Sequence, residues 1–201
     1  MSEVMYLPGA TTVGVVFKDG VLLTSEKRLT YGSFVLSKAV KKVFPLTDHI
    51  AAACAGLVSD MQSIVRVSSA YLKLQELEIN RKASVKSAAK LMSNMLFEMR
   101  LFPLLTQTLV GGVDDEGPSL YVLDPLGSVM KDDYATVGSG AEIAIGILEA
   151  RYRQGLEWSS AKELAVAGMR AAMARDAASG DGIDILRVTA EGISEEYVPV
   201  K

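Results

Sequence analysis

One cysteine and one histidine stand among 201 residues, and each scarcity closes off a class of chemistry. A single thiol, Cys54, excludes an internal disulfide, and its favoured reading is a buried small hydrophobe, a catalytic thiol being the minority one. The lone His49 follows Asp48 at a turn with no second histidine or cysteine at ligand spacing. A zinc site and a Ser-His-Asp triad therefore lack their parts, and His49 is expected at the surface. Basic excess is missing too: 21 Lys and Arg against 24 Asp and Glu leave a net charge of −3, which supplies no footprint for nucleic acid or anionic lipid. Apolar residues make up 49% of the chain, yet no run approaches the roughly 20 residues that cross a bilayer. That apolar surplus is expected to cover subunit interfaces. The leader Met1 to Gly9 has neither the basic nor the apolar segment of a secretory signal, so a cytoplasmic location is expected.

At this length a single domain with a substantial core is expected. After the leader, Thr11 to Phe17 alternates, turns at Lys18-Asp19-Gly20 and returns through Val21 to Glu26 as a hairpin. A two-residue loop at Asp19-Gly20 pairs Glu26 with Val13 and puts it on the face of Thr11, whereas a one-residue bulge moves it to the face of Ala10. A second pair of short strands is read at Phe34-Val35-Leu36 and Lys42-Val43-Phe44, and Ile50 to Ala55 forms another. From Ser59 the period changes, and Met61, Ile64, Val65, Ala70, Leu72 and Leu74 fit a long amphipathic helix ended by Arg81-Lys82. Ser84 caps a second helix with the stripe Val85, Ala88, Leu91, Met92, Met95, Leu96 and Met99. Thr106 to Val113, Ser119 to Leu123 and a stretch ending at Tyr134 to Val137 read as an antiparallel meander. Gly138-Ser139-Gly140 opens a third helix, Ser159 or Ser160 a fourth, and Ile183 to Val188 with Ile193 to Val198 closes the chain as a hairpin. Two antiparallel sheets face to face, each covered by a helical pair, satisfy this order.

The stretch Gly9-Ala10-Thr11-Thr12-Val13-Gly14 reads as a processing site, a glycine and small hydroxyl residues at the head of a strand. Cutting there exposes a new amino terminus. An amino-terminal threonine is nucleophile and base at once, because its free α-amine, of pKa about 8, takes the proton from its own hydroxyl. The stretch resembles the archaeal-type proteasome beta subunits, amino-terminal threonine hydrolases that read Gly-Thr-Thr-Thr-Val-Gly. The nucleophile position here is Ala10, which carries no hydroxyl. The resemblance covers the chain from Gly9 onward and implies an α+β fold, the four-layer αββα sandwich of the amino-terminal nucleophile hydrolases, with residues 1–9 as propeptide and 10–201 as one domain.

The resemblance also implies a site. The family places an acid sixteen positions after the nucleophile and a lysine thirty-two after it, and counting from Ala10 reaches Glu26 and Lys42. A lysine beside the nucleophile favours proton loss from the hydroxyl, and the carboxylate holds that ammonium. Read without the family, Glu26-Lys27-Arg28 and Lys38, Lys41 and Lys42 are solvated charges. Gly138-Ser139-Gly140 matches the family's Gly-Ser-Gly, and Arg175-Asp176-Ala177-Ala178-Ser179-Gly180 its Arg-Asp-x-x-Ser-Gly, so Ser139, Asp176 and Ser179 are implied to support the amine. Thr30 and Cys54-Ala55-Gly56 match segments whose backbone pairs with an extended substrate. Leu29, Leu36, Val40 and Cys54 match the first specificity pocket, which favours an apolar residue before the cut.

Plainer readings accompany these. Val137 to Glu142 could pass for a dinucleotide fingerprint, but the third glycine and a βαβ unit are missing. Asp181 and Asp184 suggest a metal, but the order of a calcium loop is absent, and no cofactor is expected. Gly180 also ends a helix. Three functions compete: a protease-lineage subunit made inert by Ala10; a structural ring subunit beside an active sister; and a chain cut after Ala10 to use Thr11, for which both spacings fall one short. The partners implied are alpha subunits and other beta subunits in stacked sevenfold rings, unfolded polypeptide substrates and a regulatory ATPase cap on the alpha ring.

Overall fold

A computed structural model describes residues 9–200; all of the expected leader except Gly9 lies outside the described residues. The strands are β1 (Thr11–Phe17), β2 (Gly20–Glu26), β3 (Leu29–Tyr31), β4 (Phe34–Ser37), β5 (Val43–Pro45), β6 (Ile50–Gly56), β7 (Thr106–Asp114), β8 (Gly117–Leu123), β9 (Val129–Asp132), β10 (Tyr134–Gly138), β11 (Ile183–Thr189) and β12 (Gly192–Val198). The helices are α1 (Val58–Ile79), α2 (Val85–Glu98), α3 (Ala141–Arg151) and α4 (Trp158–Met173). One five-stranded sheet runs β10-β1-β2-β11-β12 and the other β5-β6-β7-β8-β9, every pairing antiparallel, with β3 and β4 as a separate hairpin.

Alternation along the strands sorts side chains into three apolar layers. Val13, Val15, Phe17 and Leu22 pack with Ala144, Leu148, Leu164 and Met169 beneath α3 and α4. Val21, Leu23, Ala51, Ala53, Ala55, Leu109 and Leu120 fill the seam between the sheets. Ile50, Ala52 and Val110 meet Met61, Ile64, Met92 and Leu96 beneath α1 and α2. The result is the expected αββα sandwich. Ser84 caps α2 as expected, its side chain accepting from the Ser87 amide, a contact typically worth about 1 kcal/mol.

Several expectations are corrected. The first hairpin turns at Lys18-Asp19, with Phe17 opposite Gly20 and Thr12 opposite Ser25. Neither expected register holds, and the same ladder carried one step further sets Glu26 against Thr11. Gly20 belongs to the strand because a β-carbon there would overlap the Val188 carbonyl oxygen. The expected meander is broken: β9 ends its sheet, while β10 crosses over to pair with β1. The segments at 34–36 and 42–44 do not pair together; β4 pairs with β3, missed in the sequence, and β5 with β6. Ala70 and Leu74 lie on the exposed side of α1, where Ser68 takes the buried position. His49 is 2% exposed rather than on the surface. Its Nε2 donates to the Ala83 carbonyl at 2.8 Å, and its Nδ1 lies 2.5 Å from Asp48 Oδ1, so it joins the β5–β6 turn to the α1–α2 connection.

Candidate active site

The crossover of β10 determines what surrounds Ala10. Thr11 lies opposite Gly138 in the β1–β10 ladder, so the turn after β10 folds over the residue that precedes β1. Gly138 has φ +99°, open to glycine, and a β-carbon there would overlap the Ala10 carbonyl oxygen. Backbone therefore packs on backbone. The Ala10 amide donates to Ser139 Oγ at 3.1 Å, and the Gly140 amide donates to the Ala10 carbonyl at 3.4 Å.

The loop after α4 supplies the other side. Ser139 Oγ donates to Asp176 Oδ2 at 2.6 Å, and Ser179 Oγ donates to the same oxygen at 2.7 Å. Thr11 Oγ1 is 2.7 Å from Ser179 Oγ; with the Ser179 proton directed at Asp176, Thr11 is the donor. Asp176 is thus the common acceptor of two chains of donors, one from the Ala10 amide and one from the Thr11 hydroxyl. Its Oδ1 accepts from the Ala178 amide at 3.0 Å, which fixes the carboxylate within its own loop.

Glu26 approaches from the end of β2 and Lys42 from the residue just before β5. Their side chains are 0% and 1% exposed and form an ion pair between Lys42 Nζ and Glu26 Oε1. Lys42 also donates to the Arg28 carbonyl at 2.6 Å. Glu26 Oε1 accepts from the Thr11 amide at 3.4 Å, and its Oε2 accepts from the amides of Arg28 at 2.6 Å and Gly180 at 3.1 Å. Burial pushes the Lys42 ammonium below its ordinary range and the Glu26 carboxyl above its own, and the attraction between them opposes both shifts.

Matched to a proteasome subunit model, residues 7–188 of this chain align with it. The chain belongs to the proteasome subunit family. It is 49% identical over 197 residues to proteasome subunit beta 1 of Nitrosopumilus maritimus, covering 98% of this chain and 99% of that protein. Proteasome subunit beta 1 of Cenarchaeum symbiosum is 50% identical over 189 residues, 94% and 97% of the two chains. Proteasome subunit beta 2 of Caldivirga maquilingensis is 45% identical over 198 residues, 98% and 99%. The chain is an archaeal-type proteasome beta subunit.

The residues matched to substrate contacts are spread more widely. Thr30 is buried on β3, Leu29 and Val40 are half-buried, and Leu36 stands 61% exposed on the β3–β4 hairpin. Cys54 is fully buried among residues packed beneath α1 and α2, and burial pushes its thiol up to about 12. Its amide donates to the Lys42 carbonyl at 2.9 Å and its carbonyl accepts from Thr12 Oγ1 at 3.1 Å, while Ala55 and Gly56 lie opposite Gln107 and Thr106 on β7.

Sequence reasoning missed three contributors. Thr11 was weighed only as a nucleophile, but it is fully buried with its hydroxyl given to Ser179. Arg28, read as a solvated charge, donates through Nε to Asp181 Oδ2 at 2.7 Å and through a terminal nitrogen to the Ala177 carbonyl at 2.9 Å. It pins the loop that carries Asp176 and Ser179, and Asp181, weighed as a metal ligand, is its partner. Gln107, on β7, accepts from the Gly138 amide at 2.9 Å. A polar residue on an otherwise apolar strand face was the one available signal.

Proposed function

We propose that this chain is a beta subunit of the proteasome core particle, with a site built for threonine-type peptide hydrolysis and made inert by Ala10. The observation that supports it best is the chain from the Ala10 amide through Ser139 to Asp176, which Ser179 joins from Thr11, with the Glu26–Lys42 pair on the neighbouring peptide. In a threonine version, cleavage after Gly9 frees the α-amine in that same place. The amine takes the hydroxyl proton, Lys42 stabilises the alkoxide as it forms, and Glu26 holds Lys42. Ser139 and Asp176 orient the amine. Nothing in this scheme requires a cofactor.

On this reading residues 1–9 are a propeptide that stays attached and 10–201 are the working domain. Substrates are unfolded polypeptides paired along Thr30, Ala55 and Gly56. By the resemblance, Leu29, Leu36 and Val40 face the apolar residue before the cut, with Cys54 buried behind them. The subunit stacks as a sevenfold ring against alpha subunits and other beta subunits in the cytoplasm, a regulatory ATPase cap engaging the alpha ring. Exposed Tyr31, Phe34, Leu101 and Phe102 are surfaces for such neighbours.

A second reading makes the chain a structural ring subunit beside an active sister. The retention of Glu26, Lys42, Ser139, Asp176 and Ser179 in one bonded cluster argues against it. The experiment that decides is Ala10→Thr, assembled with the alpha partner. The expected result is leader removal and hydrolysis of peptides with a large apolar residue before the cut. A variant that assembles but neither processes nor cleaves establishes the structural reading.

A further inference from the structure

The seam between the two sheets is apolar along β6 and β7, where Ala51, Ala53, Ala55 and Leu109 face inward. Gln107 lies directly opposite Ala55 in the β6–β7 ladder and so shares that inner face. Gln107 is half-buried there, and the part of its amide withdrawn from water costs stability unless it is hydrogen-bonded. Its Oε1 accepts from the Gly138 amide at 2.9 Å, and because that partner is an N–H donor, the oxygen end of the side chain must face it. The bond links the second sheet to the last residue of β10 in the first. It lies one residue from Ser139 and beside the backbone of Ala10.

We propose that Gln107 is a positioning residue for the Ser139 turn, and through Ser139 for the amine of a threonine at position 10. The assignment rests on the proposed function above. Gly138 sits at φ +99° with its backbone against the Ala10 carbonyl, so a small rotation of the 137–138 peptide swings Ser139. Ser139 Oγ is both the acceptor for the residue 10 nitrogen and a donor to Asp176. Gln107 fixes that peptide from the opposite sheet and relays the sheet-to-sheet distance into the geometry of the proton path. It touches neither substrate nor nucleophile.

Two measurements test this. In the chain as it exists, with Ala10, Gln107→Leu keeps the bulk and removes the acceptor. Residue-resolved hydrogen exchange is expected to be roughly tenfold faster at Gly138, the loss of about one hydrogen bond, with β7 itself unchanged. Equal exchange at Gly138 overturns the proposal. In the Ala10→Thr particle, Gln107→Leu is expected to lower kcat about tenfold with KM within about twofold. Gln107→Glu, which retains an acceptor oxygen, recovers most of the rate above pH 8. Its acidic limb moves to higher pH, because a nearby carboxylate favours the protonated amine. A purely packing role gives the opposite pattern, Leu tolerated and Glu harmful, and overturns the assignment. An inert Ala10→Thr parent overturns the proposed function and with it the catalytic part of this assignment, whereas an active parent indifferent to Gln107→Leu overturns the assignment alone.

Discussion

At the scale of single residues, the proposed function makes the hydroxyl missing at position 10 the cause of inertness, and the charged pair beside it can be tested on its own. In the Ala10→Thr background, Lys42→Met is expected to lower the rate at least about 10²-fold, the usual loss of a preorganised electrostatic group. It also leaves Glu26 buried without its ammonium, an arrangement that costs about 3–5 kcal/mol unless the carboxyl takes up a proton. The double variant Lys42→Met, Glu26→Gln therefore regains melting temperature and no activity; thermal unfolding and peptide turnover on the same particles separate the two effects. Asp181 offers a test by pH. Its hydrogen bond from Arg28 holds it below the usual carboxylate range, so its contribution is present above the unfolded value of about 3.9 and is lost as pH falls through the folded one. Asn tolerates the left-handed backbone found there, φ 69°. Asp181→Asn is expected to cost about 1 kcal/mol near pH 7, a few degrees of melting temperature, and progressively less as pH falls from about 3.9 through the folded value. A deficit that does not shrink as pH falls over that range contradicts the ion-pair origin.

At the scale of elements, what was legible in the sequence is what depends on local period and on counting. The αββα order followed from runs of alternation and helical spacing. Glu26 and Lys42 came from the intervals that the family resemblance sets from Ala10, and Ser139, Asp176 and Ser179 from matches to the family's Gly-Ser-Gly and Arg-Asp-x-x-Ser-Gly. What escaped depends on distant approach. Gly20 looked like a turn residue, yet it is a glycine because β11 passes too close for a side chain, and that misreading displaced the hairpin register. The crossing of β10 between sheets was hidden because its alternation is the same on either side. Thr11, Arg28 and Gln107 acquire roles from partners 168, 153 and 31 residues away. Glycine substitution checks the reading. Gly117 has φ +96° and open space around it, so Gly117→Ala is expected to cost about 1 kcal/mol of strain. Gly20 has an ordinary φ and no space, and Gly20→Ala is expected to cost about 2–3 kcal/mol. Chemical denaturation of both variants should rank them in that order, which is opposite to a ranking by φ.

At the scale of the whole molecule, large exposed apolar side chains stand on separate elements: Tyr31 and Phe34 on the β3–β4 hairpin, Leu101 and Phe102 after α2. Replacing either pair by serine is expected to reduce co-assembly with alpha subunits, read by sedimentation, while leaving the subunit folded; normal assembly of both double variants would remove these surfaces from the interface. Intact-mass measurement of particles carrying Ala10 is expected to find residues 1–9 still attached, and their absence without any added protease contradicts inertness. The site itself closes over almost the full length of the chain. Residue 10 bonds to a partner 129 positions later, and Thr11 to one 168 positions later. Contacts of such separation form late, after the loops they close have lost their freedom. During synthesis, at about 5–20 residues per second, Ser179 does not exist until nearly nine-tenths of the chain has been made. Residue 10, among the first to emerge, is among the last to find its surroundings, so in an Ala10→Thr chain the order of translation would hold back any cut until the chain was nearly complete.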